Sequence, residues 1–301
     1  MRILKNTLLF SLVGLLSISS LFAQETNDQY NPNSIDPIPK YEQLFKRRVW
    51  MRIDLKEKQN KGFFAKNGEF SKLILDAVRS DEITQIYKND SLTSTMTKDE
   101  FFGKLVASEP PEFDEYDPDT DYYEGDEVIY NGTPYTSLYD DNLGITPDSD
   151  PDTWEPNPGG ADGEEYFPNQ ISVLRLMEDR IFDKRRSRLY YDVQAIKIVV
   201  PGSETPNGVD NEVAVFSYKD LVKVFRNHPN EAVWFNRYNT AENKNFADAF
   251  ILRLFHGVLV KVENPDDLDI VDIYTTRKEG IMASEWLNLQ LMEKEHNLWE
   301  Y

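Results

Sequence analysis

Residues able to carry out chemistry are sparse in this sequence and poorly spaced for it. The three histidines, His228, His256 and His296, stand apart. None has a second histidine or a carboxylate at the spacing of a metal pair such as H-E-x-x-H, so each is read as structural. There is no cysteine, which removes thiol catalysis and thiolate metal sites together. No G-x-S-x-G elbow, Walker loop or G-x-G-x-x-G turn occurs, and Gly159-Gly160 lies in an acidic loop with no helix after it to cradle phosphate. Carboxylates remain. Glu178, Asp179 and Asp183 could support general acid/base hydrolysis; the plainer expectation is a solvated charged turn pairing with Arg180 and Lys184. Asp117, Asp119 and Asp121 match the first three ligand positions of an EF-hand loop. Tyr122 stands where that loop needs glycine, and no helices flank it, so only a looser calcium site is open to it, with Asp148 to Asp152 able to add oxygens. No other cofactor, and no catalytic residue, is expected.

Two groups are better suited to binding. In R-R-V-W-M-R-I-D-L, Val49, Met51, Ile53 and Leu55 alternate with Trp50, Arg52 and Asp54, which is a strand with one buried face. Arg48, Trp50 and Arg52 then share the outer face, an aromatic between guanidinium groups and a composition suited to a protein partner. The stretch Y-Y-E-G-D-E-V-I-Y-N-G-T-P-Y-T-S-L-Y-D-D-N, from Tyr122 to Asn142, reads as a small β-module: Gly125 and Asn131-Gly132 supply turns, and Val128 and Tyr130 alternate into a tiny core.

The elements that hold these groups fall into distinct segments. Arg2 and Lys5 precede an apolar run from Leu8 to Phe22, and Ala23-Gln24 offers a cleavage point, so residues 1–23 read as a secretory signal peptide. Mature chains starting near Gln24 have no cysteine for a lipid anchor, and no later run is long enough to span a bilayer. Residues 24–40 are polar and proline-rich, an extended arm ordered by a partner. Between Lys104 and Arg175 there is no Lys or Arg but 19 Asp and Glu; removing these from the total of 53 leaves 34 acids against 33 bases. The net charge of −20 therefore belongs almost entirely to one segment. Such a segment repels phosphates, so nucleic acid is excluded as its partner, and so sharp a break marks a module. The division predicted is a core first part over 41–108, an acidic inserted β-module over 109–166, and a core second part over 167–301.

Within the core, helices are expected in G-E-F-S-K-L-I-L-D-A-V-R-S, after the Thr97–Glu100 capping box, and after Ser217 with Asp220. Residues 171–201 predict two strands joined by the charged connection from Asp183 to Arg188. A-D-A-F-I-L-R-L-F-H-G-V-L-V-K-V predicts a longer apolar helix ending near Gly257, L-D-I-V-D-I-Y a strand, and the last twenty residues a closing helix. Helices and strands mix without a βαβ rhythm, so the fold class is α+β: a mixed sheet-and-helix core with a small all-β inserted module.

Two resemblances follow. Tyr122, Gly125, Asp126, Val128, Tyr130, Gly132 and Tyr135, then Asn142, Pro147 and Trp154, resemble the pattern of small chitin-binding-type carbohydrate-binding modules. That likeness implies that most of these aromatics fold the module, while Tyr139 stands where such modules show an exposed aromatic, making it the glycan-binding candidate. More distinctive are N-S-I-D-P-I-P-K-Y-E-Q-L-F-K-R-R-V-W-M-R-I-D-L-K-E-K-Q-N, S-L-T-S-T-M-T-K-D-E-F and E-D-R-I-F-D-K-R-R-S, which resemble the GldN/PorN family of Bacteroidetes gliding-motility and type IX secretion proteins over 30–108 and 168–301. That resemblance implies a non-enzymatic structural protein, periplasmic at the inner face of the outer membrane. It would self-associate in a ring with a GldK/PorK-like lipoprotein and touch the membrane only through partners. The acidic insert departs from the family pattern. An exported glycan- or peptidoglycan-binding protein acting through the insert is the alternative, and a hydrolase using Glu178 to Asp183 a third reading.

Overall fold

The computed structural model describes residues 30–107, 113–156, 165–274 and 276–298. The signal peptide and residues 24–29 of the arm lie outside them. Residues 30–40, expected to extend as an arm, fold back on the molecule instead. Ser34 and Ile38 are buried, Asn31 Nδ2 donates to Gln194 Oε1 at 2.6 Å, and Lys219 Nζ donates to the Pro32 carbonyl at 3.2 Å.

Along the chain come β1 (Gln43–Asp54), a hairpin of β2 (Phe64–Ala65) and β3 (Gly68–Glu69), helix α1 (Phe70–Arg79), β4 (Ile86–Tyr87), β5 (Thr95–Met96) and α2 (Lys98–Gly103). The predicted stripe of α1 is its buried face: Phe70, Leu73, Ile74, Ala77 and Val78. The capping box of α2 is formed, with Thr97 Oγ1 accepting from Glu100 N–H and the Glu100 carboxylate accepting from Thr97 N–H.

The insert holds β6 (Asp114–Glu115), β7 (Asp121–Tyr122), β8 (Glu127–Tyr130), β9 (Thr133–Ser137), β10 (Asn142–Leu143) and β11 (Trp154–Pro156). Four of them form a sheet in the order β11-β9-β8-β6, and β10 pairs β7. It has a core of its own: Tyr122, Val128 and Trp154, packed by Tyr116, Tyr135 and Ile145, with Trp154 Nε1 donating to the Ile145 carbonyl at 2.8 Å. Asn131 and Gly132 both have positive φ (50° and 78°), as a tight two-residue hairpin requires. The chain leaves and rejoins the main body at adjacent points, since Val106 bridges Glu165 and Tyr166 N–H donates to the Leu105 carbonyl at 2.8 Å.

The second part continues with β12 (Val173–Asp183), β13 (Arg188–Val200), β14 (Asn211–Ser217), α3 (Tyr218–Asn227), β15 (Val233–Trp234), β16 (Lys244–Asn245), α4 (Phe246–Ile251), β17 (Val258–Val262), α5 (Ile270–Ile273) and α6 (Arg277–Asn297). The fold is α+β. Its main sheet runs β17-β1-β12-β13-β14-β4-β5, so segments from both sides of the insert alternate within it. One sheet face packs on α1, α3 and α4 through a core that includes Leu174, Ile196, Ile198, Phe216 and a Phe63–Phe70–Phe225–Phe246–Phe250 ring cluster.

Two predicted elements are corrected. The long apolar helix is only α4, six residues; the chain turns at Arg253 (φ 53°) and its second half is strand β17. The alternating V-L-V-K-V pairs with β1, and Gly257 passes so close to β1 that a Cβ there would stand 3.0 Å from Ile53 Cγ1 and 3.2 Å from the Arg52 carbonyl. The predicted strand L-D-I-V-D-I-Y contains the short helix α5. Asn264 bends the chain before it, donating to the Val262 and Leu268 carbonyls and accepting from Leu268 N–H. Ser217 sits at the amino end of α3, but its side chain makes no cap bond.

Because the insert has its own core and joins at adjacent points, residues 109–164 are expected to be replaceable by a short linker that leaves Tyr166 of the main core in place. Thermal and denaturant unfolding of the deletion protein should remain one cooperative transition; loss of soluble folded protein would mean that the insert is part of the main core.

Candidate functional site

The second face of the main sheet is the charged one. Register places Arg48 opposite Asp179, which lies opposite Asp192; Trp50 opposite Met177, opposite Ala195; and Arg52 opposite Arg175, opposite Lys197. Side chains in register share a face. A groove of about 730 Å³ opens over the middle of this face, walled by the β4–β5 turn at Asp90, by Glu212 of β14 and by the chain around Asp267 to Asp272.

Trp50 forms its floor and is not an exposed anchor. Only 6% of it is accessible. It packs with Met177, Ala195 and Val215, donates from Nε1 to Asp90 Oδ2 at 3.0 Å, and lies under Lys261, whose Nζ is 4.5 Å from the ring. The expectation of an outward-facing tryptophan fails because Tyr87 of β4, Asp90 and Leu92 of the β4–β5 connection and Lys261 of β17 lay side chains over this sheet face.

The cations of the groove are held in fixed pairs. Arg48 makes a two-pronged bond to Asp179 (2.7 and 2.9 Å), to which Lys46 adds a contact at 2.8 Å. Burial alone would raise Asp179, but the hydrogen bonds from Arg48 and Lys46 outweigh it and hold this carboxyl below its ordinary value. The same bond raises the Arg48 guanidinium. Arg175 bridges Glu212 and Asp269, and Lys197 bridges Asp90 (3.0 Å) and Glu212 (2.8 Å). Lys197 and Arg175 outweigh burial at Glu212 and keep it low. Arg52 pairs with Asp210 beyond the groove's end.

Asp192 departs from this pattern. Burial, with Asp179 alongside, pushes it up to about 6, although Gln194 Nε2 donates to it at 2.6 Å and Lys46 is near. A carboxyl with a neighbouring carboxylate and little water is disfavoured as an anion.

The carboxylates considered for hydrolysis are not a solvated turn and do not converge. Glu178 and Asp179 are adjacent on β12 and therefore point to opposite faces. Glu178 is fully buried under Arg253 (2.5 Å) and Arg180 (3.1 Å), and Arg253 stacks on Tyr191 at 4.1 Å. Asp183 ties the β12–β13 turn, accepting from the backbone of Arg185 and Arg186 and from Arg186 Nη1 at 2.6 Å. Each carboxylate is committed to a guanidinium, and neither Arg180 nor Arg186 leaves it free to take a substrate proton.

Two of the candidate calcium ligands hold local turns. Asp117 Oδ1 accepts from Asp119 N–H at 3.0 Å, Asp121 lies in β7, and Asp150 Oδ1 accepts from Asp152 N–H. Among the described residues no three His, Cys, Asp or Glu side chains come together to hold a metal ion. His228 and His256 contact Glu82 and Glu57 at the surface. Tyr139 is exposed, as expected of the glycan candidate, and so is Tyr123. Their loops are joined by Gly125 N–H to the Ser137 carbonyl and Glu124 N–H to Asp140 Oδ1.

Sequence reading missed Arg175, Lys197 and Lys261. Each is a lone cation in an apolar strand, V-L-R-L, A-I-K-I and L-V-K-V, and that pattern is the signal that marks them. Their acidic partners come from distant turns and carry no such signal.

A family model described as gliding motility associated protein GldN matches residues 38–300. No curated protein matches the chain. Among the described residues no helix is long and apolar enough to cross a membrane.

Asp192 yields a pH test. Its folded-state value is raised, so the unfolded chain releases this proton first. Stability from this group is highest below the unfolded value of 3.8, falls as pH rises toward about 6, and stays reduced above that. Asp192→Asn removes the penalty and is expected to stabilise the protein by about 2 kcal/mol at pH 8, with the gain vanishing near pH 4. Urea midpoints of both proteins across that range check it; a gain independent of pH would contradict the assignment.

Proposed function

The chain belongs to the GldN family of gliding-motility proteins, and from that premise we propose that it is a structural component of the type IX secretion and gliding machinery. In this reading it works in the periplasm, assembling with a GldK/PorK-like outer-membrane lipoprotein into a ring, with the groove over Trp50 as the partner-facing surface. The family match across nearly the whole chain carries the proposal. The signal-peptide pattern of residues 1–23 supports export. The pairing of Glu178, Asp179 and Asp183 with arginines supports a non-enzymatic role. A groove with an aromatic floor and rigidly paired charges on its walls supports recognition of a protein surface, because fixed charges align a partner without being reordered.

The test reads partner and fold separately. Arg52→Glu with Lys88→Glu changes two partly exposed cations on this face. The variant is expected to unfold near the wild-type temperature while retention of the lipoprotein in pull-down falls about tenfold or more. Trp50→Ala, by contrast, should cost about 3 kcal/mol of stability, because the ring is buried. A folded double variant that assembles at full occupancy would remove the groove from the interface. Unimpaired type IX cargo export in cells lacking the protein would overturn the functional reading itself.

A second reading rests on Tyr123 and Tyr139, which stay exposed while Tyr122 and Trp154 turn into the insert's core. We propose that this aromatic pair contacts peptidoglycan or a related glycan. Tyr139→Ala should weaken retention on such polymers without unfolding the insert, whereas Trp154→Ala should unfold it. No retention of the wild-type chain on any of them sinks this reading.

A further inference from the structure

Two patches far apart in sequence are opposite in charge, and neither is satisfied within the chain that carries it. The first is a cleft of about 300 Å³ between the β1–β2 connection and the β15–β16 turn. Trp234, Phe235 and Tyr238 give it aromatic walls, Lys58, Lys61 and Arg237 stand among them, and no acid lines it. Its walls are fixed in place. The indole of Trp234 lies directly on Gly62, where a Cβ would strike it, and Phe235 N–H donates to the Gly62 carbonyl at 2.8 Å. Asn243 Oδ1 accepts from Asn236 N–H (2.9 Å), and Asn236 Oδ1 accepts from the N–H groups of Tyr238 (3.0 Å) and Asn239 (3.2 Å). Phe235 and Tyr238 nonetheless face solvent, Tyr238 by 86%. Every cation lining the groove over Trp50 is paired with an acid. Lys58, Lys61 and Arg237, by contrast, are exposed and in no ion pair among the described residues. In a chain of 53 acids and 33 bases, three such cations side by side point to an anionic partner.

The second patch is the outer face of the β7–β10 pair in the insert. Register sets Asp121 opposite Leu143 and Tyr122 opposite Asn142. Tyr122 enters the insert's core, and Asn142 is buried with its Nδ2 donating to Ser137 Oγ at 3.2 Å. The pleat therefore carries Asp121 and Leu143 outward together. Both are exposed, and so are Asp119 and Asp141, each two residues before one of them. Leu143 is thus one apolar side chain among three carboxylates. Asp119, Asp121 and Asp141 are in no ion pair among the described residues.

An apolar knob among three acids is the counterpart of aromatic walls among three cations. The cleft is small for a ligand site, and its size suits the entry of a single side chain. We infer that the cleft of one copy receives the Leu143 face of a second copy's insert, with Asp119, Asp121 and Asp141 meeting Lys58, Lys61 and Arg237. The two surfaces differ, so the contact is heterologous. A pair formed this way leaves one cleft and one insert unused, and association continues from copy to copy until it closes in a ring or runs on as an open chain. This contact rests on the self-association in the proposed function and supplies its two surfaces, while sharing no residue with the groove over Trp50.

Sedimentation of the full chain over a range of concentrations tests the contact. The wild type is expected to form assemblies larger than a pair, and salt should weaken them because exposed charges make the contact. Lys58→Gln with Arg237→Gln neutralises the cleft, and Asp121→Asn with Leu143→Ser removes the face of the insert. Each variant alone should stay monomeric at concentrations about tenfold above those at which the wild type assembles. Their thermal midpoints should be unchanged, since all four side chains are exposed in the single copy. Mixed in equal amounts, the two variants should form one-to-one pairs and nothing larger, because one supplies the only intact cleft and the other the only intact insert face. Both variants should retain the lipoprotein as the wild type does, so that failure of this contact and failure of the groove reading are told apart. A wild type that stays monomeric at its highest soluble concentration overturns the inference, including where its cleft then binds another acidic protein. A variant that assembles like the wild type, or a mixture that fails to pair, overturns it too.

Discussion

The long antiparallel ladder of β1, β12 and β13 is the constraint on which the rest of the molecule depends. β1 pairs with β12 from Gln43 to Asp54, and β12 with β13 from Val173 to Asp183. A strand register fixes every side chain to one face or the other, and a slip of one residue would exchange the faces. Here that exchange would drive Arg48, Asp179 and Arg175 into the helical core and expose Ile53, Leu174 and Ile198. The hydrophobic pattern therefore selects one register strongly, and the charged groove is a consequence of it.

Burying so many charges against the two faces of the sheet costs desolvation, and the structure offsets that cost by pairing. Asp179 receives Arg48 and Lys46, Glu178 receives Arg253 and Arg180, and Lys197 and Arg175 share Glu212. Buried pairs of this kind add little net stability over apolar packing, yet breaking one leaves an uncompensated charge. The pairs of Asp179 with Arg48 and Lys46, and of Lys197 with Asp90, are satisfied only when segments from both sides of the insert are in place. Asp192 is in no ion pair among the described residues, and its proton affinity is raised by burial with Asp179 alongside.

The insert obeys a different rule. Its strands are short and would not persist singly, so Tyr116 and Tyr122 stack on each other, both meet Trp154 edge to face, and apolar area is concentrated in few residues. The many acids of its loops stay in water. Since its two ends meet at Leu105 and Tyr166, the sheet accepts it without changing register on either side. An acidic, aromatic unit and a mixed-charge main body thus share one chain while each keeps its own core.

Local patterns were legible in the sequence wherever the physics is local. The alternation in β1, the stripe of α1, the Thr97–Glu100 box, the β12–β13 hairpin and the aromatic core of the insert all rest on neighbours a few residues apart, and the distinctive motifs around Trp50 pointed to the family. Tertiary structure alone decided what covers what. Trp50 reads as an outward residue by alternation, but β4, the β4–β5 connection and β17 close over it. Glu178 and Asp179 read as a solvated pair, but the pleat divides them between a core arginine and a groove arginine. A-D-A-F-I-L-R-L-F-H-G reads as one helix to Gly257, but the helix stops after six residues and the V-L-V-K-V beyond it pairs with the edge of β1. Burial depends on partners far apart in sequence, and a chain pattern of period two or 3.6 states which residues share a face, not what will lie across it.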